Sequence, residues 1–105
     1  MSTSLSFDAK FVQLATPVLS EFGFSGIKEL VSEQLTLMLQ TKIDQYDAED
    51  RLFASKFGKP FETITAQARQ EGAEDFDLDD ALNDWRFARE SAALYRVRMQ
   101  ELNNA

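Results

Sequence analysis

Residues 26–57 read GIKELVSEQLTLMLQTKIDQYDAEDRLFASKF, and this stretch decides the fold. Ile27, Leu30, Val31, Leu35, Met38, Leu39, Ile43, Tyr46, Phe53 and Phe57 keep to a stripe of helical period. That period lays apolar side chains along one face of an α-helix. Glu29, Glu33, Gln34, Lys42, Asp47 and Asp50 fall mainly elsewhere on the wheel. Ser25 fits an N-cap, and Gly58-Lys59-Pro60 is a strong stop. A continuous helix over this range is about 48 Å long, which is long for a monomer of this size. Such a helix is expected to bend, to break near Asp47 to Asp50, or to lie against another chain. In the last case Leu35, Leu39 and Ile43 are the residues buried across a two-fold axis.

Working outward, a short helix is expected over residues 61–70, with Phe61, Ile64 and Ala68 inward and Gly72 as its stop. An acidic linker at 71–77 then leads to a long helix over 78–102. Its stripe is Leu78, Leu82, Trp85, Ala88, Ala92, Tyr95, Met99 and Leu102, at steps of three and four. Asp77 is the expected N-cap, and Asp79 and Asp80 stand in the first turn, where carboxylates favour the helix dipole. Arg96 and Arg98 stand nearer its C-terminal end. Residues 1–25 form a short N-terminal element with two readings. Leu5, Phe7, Ala9 and Phe11 alternate as in a strand, while Phe7, Phe11, Leu14 and Val18 recur as in a helix. The helix is favoured, with a break expected near Thr16-Pro17. The architecture expected is all-α: a single domain, 1–105, built as a helical hairpin of two long amphipathic arms with two short elements.

Composition bounds the chemistry. The chain has 105 residues with 44% apolar content and nine Phe, enough for one core. Lys and Arg number 11 against 18 Asp and Glu, so the net charge is −7. Residues 41–80 carry eleven acids and five bases and hold nearly all the excess. This balance argues against attachment to nucleic acid or an anionic membrane through phosphate charge. There is no His and no Cys, which removes His bases, Cys nucleophiles, Cys/His metal sites and disulfides. No apolar run approaches a membrane span and the N-terminus lacks a signal-peptide pattern, so a soluble cytoplasmic protein is expected.

The sharpest local feature is Glu71-Gly72-Ala73-Glu74-Asp75-Phe76-Asp77-Leu78-Asp79-Asp80, six acids with no base. Asp75, Asp77 and Asp79 match the first ligands of a calcium loop. Asp80 then stands where Gly is needed, and Arg86 where the bidentate Glu belongs. No metal or cofactor is expected. The plain reading is a solvated loop whose last acids cap a helix. The functional reading is a docking surface for a basic protein partner, made of Glu74, Asp75, Phe76, Asp77, Asp79, Asp80 and Trp85. Charge steers an encounter there, and Phe76 or Trp85 anchors it. Trp85, being on the apolar stripe, also fits the core.

Catalysis finds little support. Ser25-Gly26-Ile27-Lys28 has Ser-x-x-Lys spacing but stands at a helix start, where capping explains Ser25. There is no glycine-rich phosphate loop, and no enzyme is expected. One competing reading is a ribbon-helix-helix DNA-binding dimer, with Leu5 to Phe11 as ribbon. Its outer face of Ser4, Ser6, Asp8 and Lys10 offers almost no phosphate anchors. A structural homo-oligomer and a nucleic-acid-mimicking inhibitor also compete.

From Leu37 to Leu102 the chain resembles small prokaryotic antitoxin-type proteins, usually encoded beside a toxin. The resemblance lies in an amphipathic helix ending Tyr46…Glu49-Asp50…Phe53…Lys56-Phe57-Gly58, then Phe61-Glu62 opening a short helix. An acidic linker follows, and then Asp79-Asp80…Asp84-Trp85…Leu94…Arg98…Leu102. It implies neutralisation of a basic partner, often a nuclease or another RNA-directed toxin. Many such proteins also bind operator DNA through an N-terminal module, for which residues 1–25 show no convincing candidate.

Overall fold

The computed structural model describes residues 8–72 and 75–105. It is all-α, with no strand among the described residues. Its helices are α1 (Ala9–Glu21), α2 (Ile27–Phe57), α3 (Phe61–Glu71) and α4 (Phe76–Asn103). Two long helices and two shorter ones match the architecture expected from the apolar periods. The chain gathers its contacts into two units, Met1–Leu37 and Met38–Ala105, with the boundary inside α2.

In the first unit the helical period wins over the alternating one from Ala9 onward; Leu5 and Phe7 lie outside the described residues. The ribbon of the DNA-binding reading, Leu5 to Phe11, is therefore not formed at its Ala9–Phe11 end. Asp8 caps α1, its carboxylate accepting the Lys10 N–H at 2.8 Å. The break expected near Thr16 does not occur, because α1 runs through Pro17. Proline removes the N–H that would bond the carbonyl of Gln13. Both residues are exposed, so that carbonyl is open to solvent, and Thr16 donates its hydroxyl to the Val12 carbonyl at 2.6 Å. The helix ends at Gly23, whose φ of 88° suits a residue without Cβ. Gly23 N–H donates to Ser20 O at 3.1 Å and Phe24 N–H to Leu19 O at 2.8 Å, the two bonds of a Schellman stop.

Ser25 does not cap α2 in the expected sense. Its hydroxyl and its N–H, the latter at 2.7 Å, both donate to the Glu29 carboxylate. The side chain that reaches back is Glu29, as the acid of a capping box does. The expected break near Asp47 to Asp50 is also absent, and α2 continues to Phe57. Its stop is Gly58, at φ 70°.

In the second unit, α4 lies antiparallel to the C-terminal part of α2. As numbering rises along α2 through Asp47, Asp50 and Phe57, the partners on α4 fall through Arg96, Arg89 and Trp85. The centre is Trp85, with no exposed surface. Phe57 and Phe53 stack on it at 5.5 and 5.8 Å between ring centroids, and Phe61 meets it edge-on at 5.1 Å. Burying such a ring contributes about 4–6 kcal/mol as an upper estimate. Leu82, Ala88 and Ala92 are buried with it, and Leu78, Tyr95, Met99 and Leu102 are half-buried, so the whole stripe of α4 faces inward. On α3 the inward residues include Phe61, Ile64 and Ala68, as expected.

Two placements differ from the sequence reading. Helix α4 begins at Phe76, and its N-cap is Asp75, whose carboxylate accepts the Leu78 N–H at 3.0 Å. Asp77 stands inside the helix. Asp47 and Asp50, which polarity assigns to the outer wheel, face α4 instead. Asp47 pairs with Arg96, and Asp50 accepts the Trp85 indole N–H at 2.6 Å.

Candidate partner-binding surface

The start of α4 carries the acidic residues in helical register. Phe76, Asp80, Asp84 and Phe87 follow at steps of four, four and three, with Asp77 three before Asp80. Those steps put them along one face. Phe76 is 74% exposed, and Asp77, Asp79, Asp80 and Asp84 are all exposed. None of these four carboxylates is in an ion pair or side-chain hydrogen bond with a described residue. Asp79 lies out of step with this row. Glu74 lies outside the described residues.

Trp85 belongs to the core and cannot serve as an anchor. Its stripe position aims the indole at α2 and α3, and three Phe rings enclose it. Of the residues expected at a self-association face, Ile43 is 4% exposed and fills its own unit, so it is not available to a second chain. Leu39 is half-buried, and Leu35 is exposed.

The sequence reading misses a groove on the flank of the α2–α4 pair. Its volume is 510 Å³. From α2 come Gln45, Tyr46, Glu49, Leu52, Phe53 and Lys56, and from α4 come Asp84 and Phe87. Leu52 and Phe87 are 71% and 61% exposed. Phe87 is held edge-on against Tyr46 at 5.8 Å, and Tyr46 stacks on Tyr95 at 6.0 Å. The groove therefore has an aromatic floor fixed by the core and an open top. The sequence does carry a signal for it, since Phe87 is a large apolar residue off the α4 stripe.

A different face of α4 holds α3. Arg89 donates to Glu62 at 2.7 Å, stands 3.6 Å from Asp50, and lies over the Phe61 ring at 5.1 Å. Arg86 lies over the same ring at 5.7 Å. Arg89 neutralises Asp50 and Glu62, Arg86 is held by Asn83 and the Phe61 ring, and neither pairs with Asp77, Asp80 or Asp84.

Elsewhere, the Ser25 hydroxyl and then its N–H hold the Glu29 carboxyl below the usual range. Among the described residues no group of three or more His, Cys, Asp or Glu is placed to hold a metal ion. Among them, too, no helix is long and apolar enough to cross a membrane. No protein-family model, curated protein or solved structure matches the chain.

Proposed function

We propose that this chain is a non-catalytic, cytoplasmic acidic regulator that binds a basic protein partner and neutralises or modulates it, in the manner of antitoxin-type proteins. The observation that carries the reading is the row Phe76, Asp77, Asp80 and Asp84, a set of carboxylates without an ion-pair partner among the described residues, beside an exposed aromatic ring. Salt bridges consume the acids on the inner faces, while the outer acids are left for a partner. Uncompensated carboxylates raise the encounter rate with a cationic surface, and a desolvated aromatic slows its escape.

The test begins with affinity capture from native lysate after nuclease treatment. The purified partner then binds wild-type chain and the variant carrying Asp77→Asn, Asp79→Asn, Asp80→Asn and Asp84→Asn. The on-rate and its dependence on salt should both fall in the variant. Equal on-rates and equal salt slopes would end the proposal.

A second reading, a homo-oligomeric helical module, has one observation in its favour. Between Lys10 and Glu21, α1 has no charged residue, and Phe11, Leu14 and Val18 are exposed there. Such a face meets a second copy without repulsion. Light scattering decides it: a salt-insensitive dimer that Val18→Asp dissociates supports this reading, and a monomer removes it.

A further inference from the structure

Resting on the reading of the chain as a binder of a basic protein, we propose that the α2–α4 groove receives an amphipathic, lysine- and arginine-bearing helix of that partner. The groove is an open trough of 510 Å³ on the core unit. Two antiparallel helices form its walls, and α3 is packed elsewhere on the pair. At roughly 100° per residue, Arg89, which holds α3, stands about 200° round α4 from Phe87, which lines the groove. A helix laid in the groove sits on the flank away from α3 and completes a four-helix arrangement with side chains interdigitating.

The floor sets what that helix must present. Leu52 and Phe87 are more than half exposed over Tyr46 and Phe53, so the incoming face is apolar, at helical spacing. The same openness disfavours a small molecule, because pockets for such ligands enclose most of the ligand surface. The rim sets the charge. Glu49 and Asp84 line it against a single cation, Lys56. The α4 row continues from Asp84 to Asp80 and Asp77, and none of these is neutralised by a described residue. A cationic flank matches this rim, while an anionic one meets Glu49 and Asp84 there and Asp80 and Asp77 further along α4. The acidic start of α4 and the groove then act as one surface, the first guiding the helix and the second seating it.

The test uses the full chain, isotopically labelled, and three synthetic peptides. One is an amphipathic helix of Leu and Lys, the second has Glu for every Lys, and the third has Ser for every Leu. The Leu/Lys peptide should shift the amides of residues 45–56 and 84–94 and bind more tightly than either control. Leu52→Lys should weaken it about tenfold or more, from lost apolar burial and added repulsion. Leu52→Ser should weaken it less while leaving the fold intact by circular dichroism. Two results would overturn the groove and spare the acidic docking surface: shifts confined to residues 75–80, or Leu52→Lys binding as wild type does. Equal binding of the Leu/Glu peptide would overturn the charge argument. No binding of any peptide at low salt would remove both the groove and the basic-partner reading.

Discussion

Replacing Trp85 separates the two things its indole does. Trp85→Ala removes a ring with no exposed surface from between Phe53, Phe57 and Phe61. Deletions of this kind cost about 3–5 kcal/mol, the transfer energy plus a cavity that neighbours only partly fill. Trp85→Phe keeps an aromatic ring in the stack and deletes the indole N–H that Asp50 accepts at 2.6 Å. A hydrogen bond to a charged acceptor is worth about 1.5–3 kcal/mol. Here the lower end applies, because the Asp50 side chain is 34% exposed and retains Arg89 at 3.6 Å. The expected order is therefore wild type, then Trp85→Phe down by about 1–2 kcal/mol, then Trp85→Ala down by about 4 kcal/mol. Against a typical total of about 5–15 kcal/mol, the Ala variant loses between about a quarter and most of the stability. Urea titration followed at the amides of residues 82–92 reads the core unit alone. A loss below about 1 kcal/mol for Trp85→Ala, at unchanged m-value, would show that the core is not organised around this ring. Equal losses for the two variants would show that the hydrogen bond, and not the packing, dominates.

Three further outcomes follow from the helix ends and the charge network. Asp75→Ala should cost about 1 kcal/mol and fray the first turn of α4, read by amide exchange at Leu78, since it deletes the capping acceptor. Arg89→Met combined with Glu62→Gln should show a coupling of about 0.5 kcal/mol, because the pair is solvent-exposed, and a double-mutant cycle measures it. The Glu29 carboxyl is held below its ordinary value of 4.5 by Ser25, so its contribution is complete above that value and is lost as pH falls through the lower folded value. The Ser25 amide signal should therefore report a transition below the usual Glu range, and Glu29→Gln should abolish it.

Legibility follows the physics of each segment. The long helices are readable because ten apolar residues on α2 and eight on α4 keep one period; the eight on α4 are all buried or half-buried, whereas Leu35 and Met38 of the α2 stripe are exposed. Helix ends are less readable. Three carboxylates within five residues, Asp75, Asp77 and Asp79, compete for one capping role, and the backbone geometry at Asp75 decides among them. Pro17 misleads because the rule against internal proline rests on a lost hydrogen bond and a ring clash, and the first cost is eased here, where Gln13 is exposed to water. Polarity alone sends Asp47 and Asp50 outward. Yet Asp50 sits seven residues from both Ile43 and Phe57, a spacing that places it on the inner stripe, and an indole N–H needs an acceptor there. Phe87 escapes a stripe-based reading because it falls off the stripe, which is the property that makes it part of a surface.

The acidic start of α4 has a plain explanation, and its reach can be measured residue by residue. Asp75 is explained fully, since its carboxylate caps the helix. Asp77 and Asp79 are explained in part, since carboxylates in a first turn gain from the dipole. That effect fades after one turn, so Asp80 receives little of it and Asp84 none. Neither has an ion-pair partner among the described residues, although four Arg share the helix. Those Arg are engaged elsewhere: Arg89 with Asp50 and Glu62, Arg96 with Asp47, Arg98 over the Tyr95 ring, and Arg86 with Asn83 and over Phe61. A helix optimised only for its own stability would spread cations among its outer acids, because like charges at i and i+4 destabilise it. Asp80 and Asp84 stand at that spacing, on the row that ends at the exposed ring of Phe87. Self-stabilisation accounts for the cap and leaves this pair over, and the pair is where a cationic partner has most to gain.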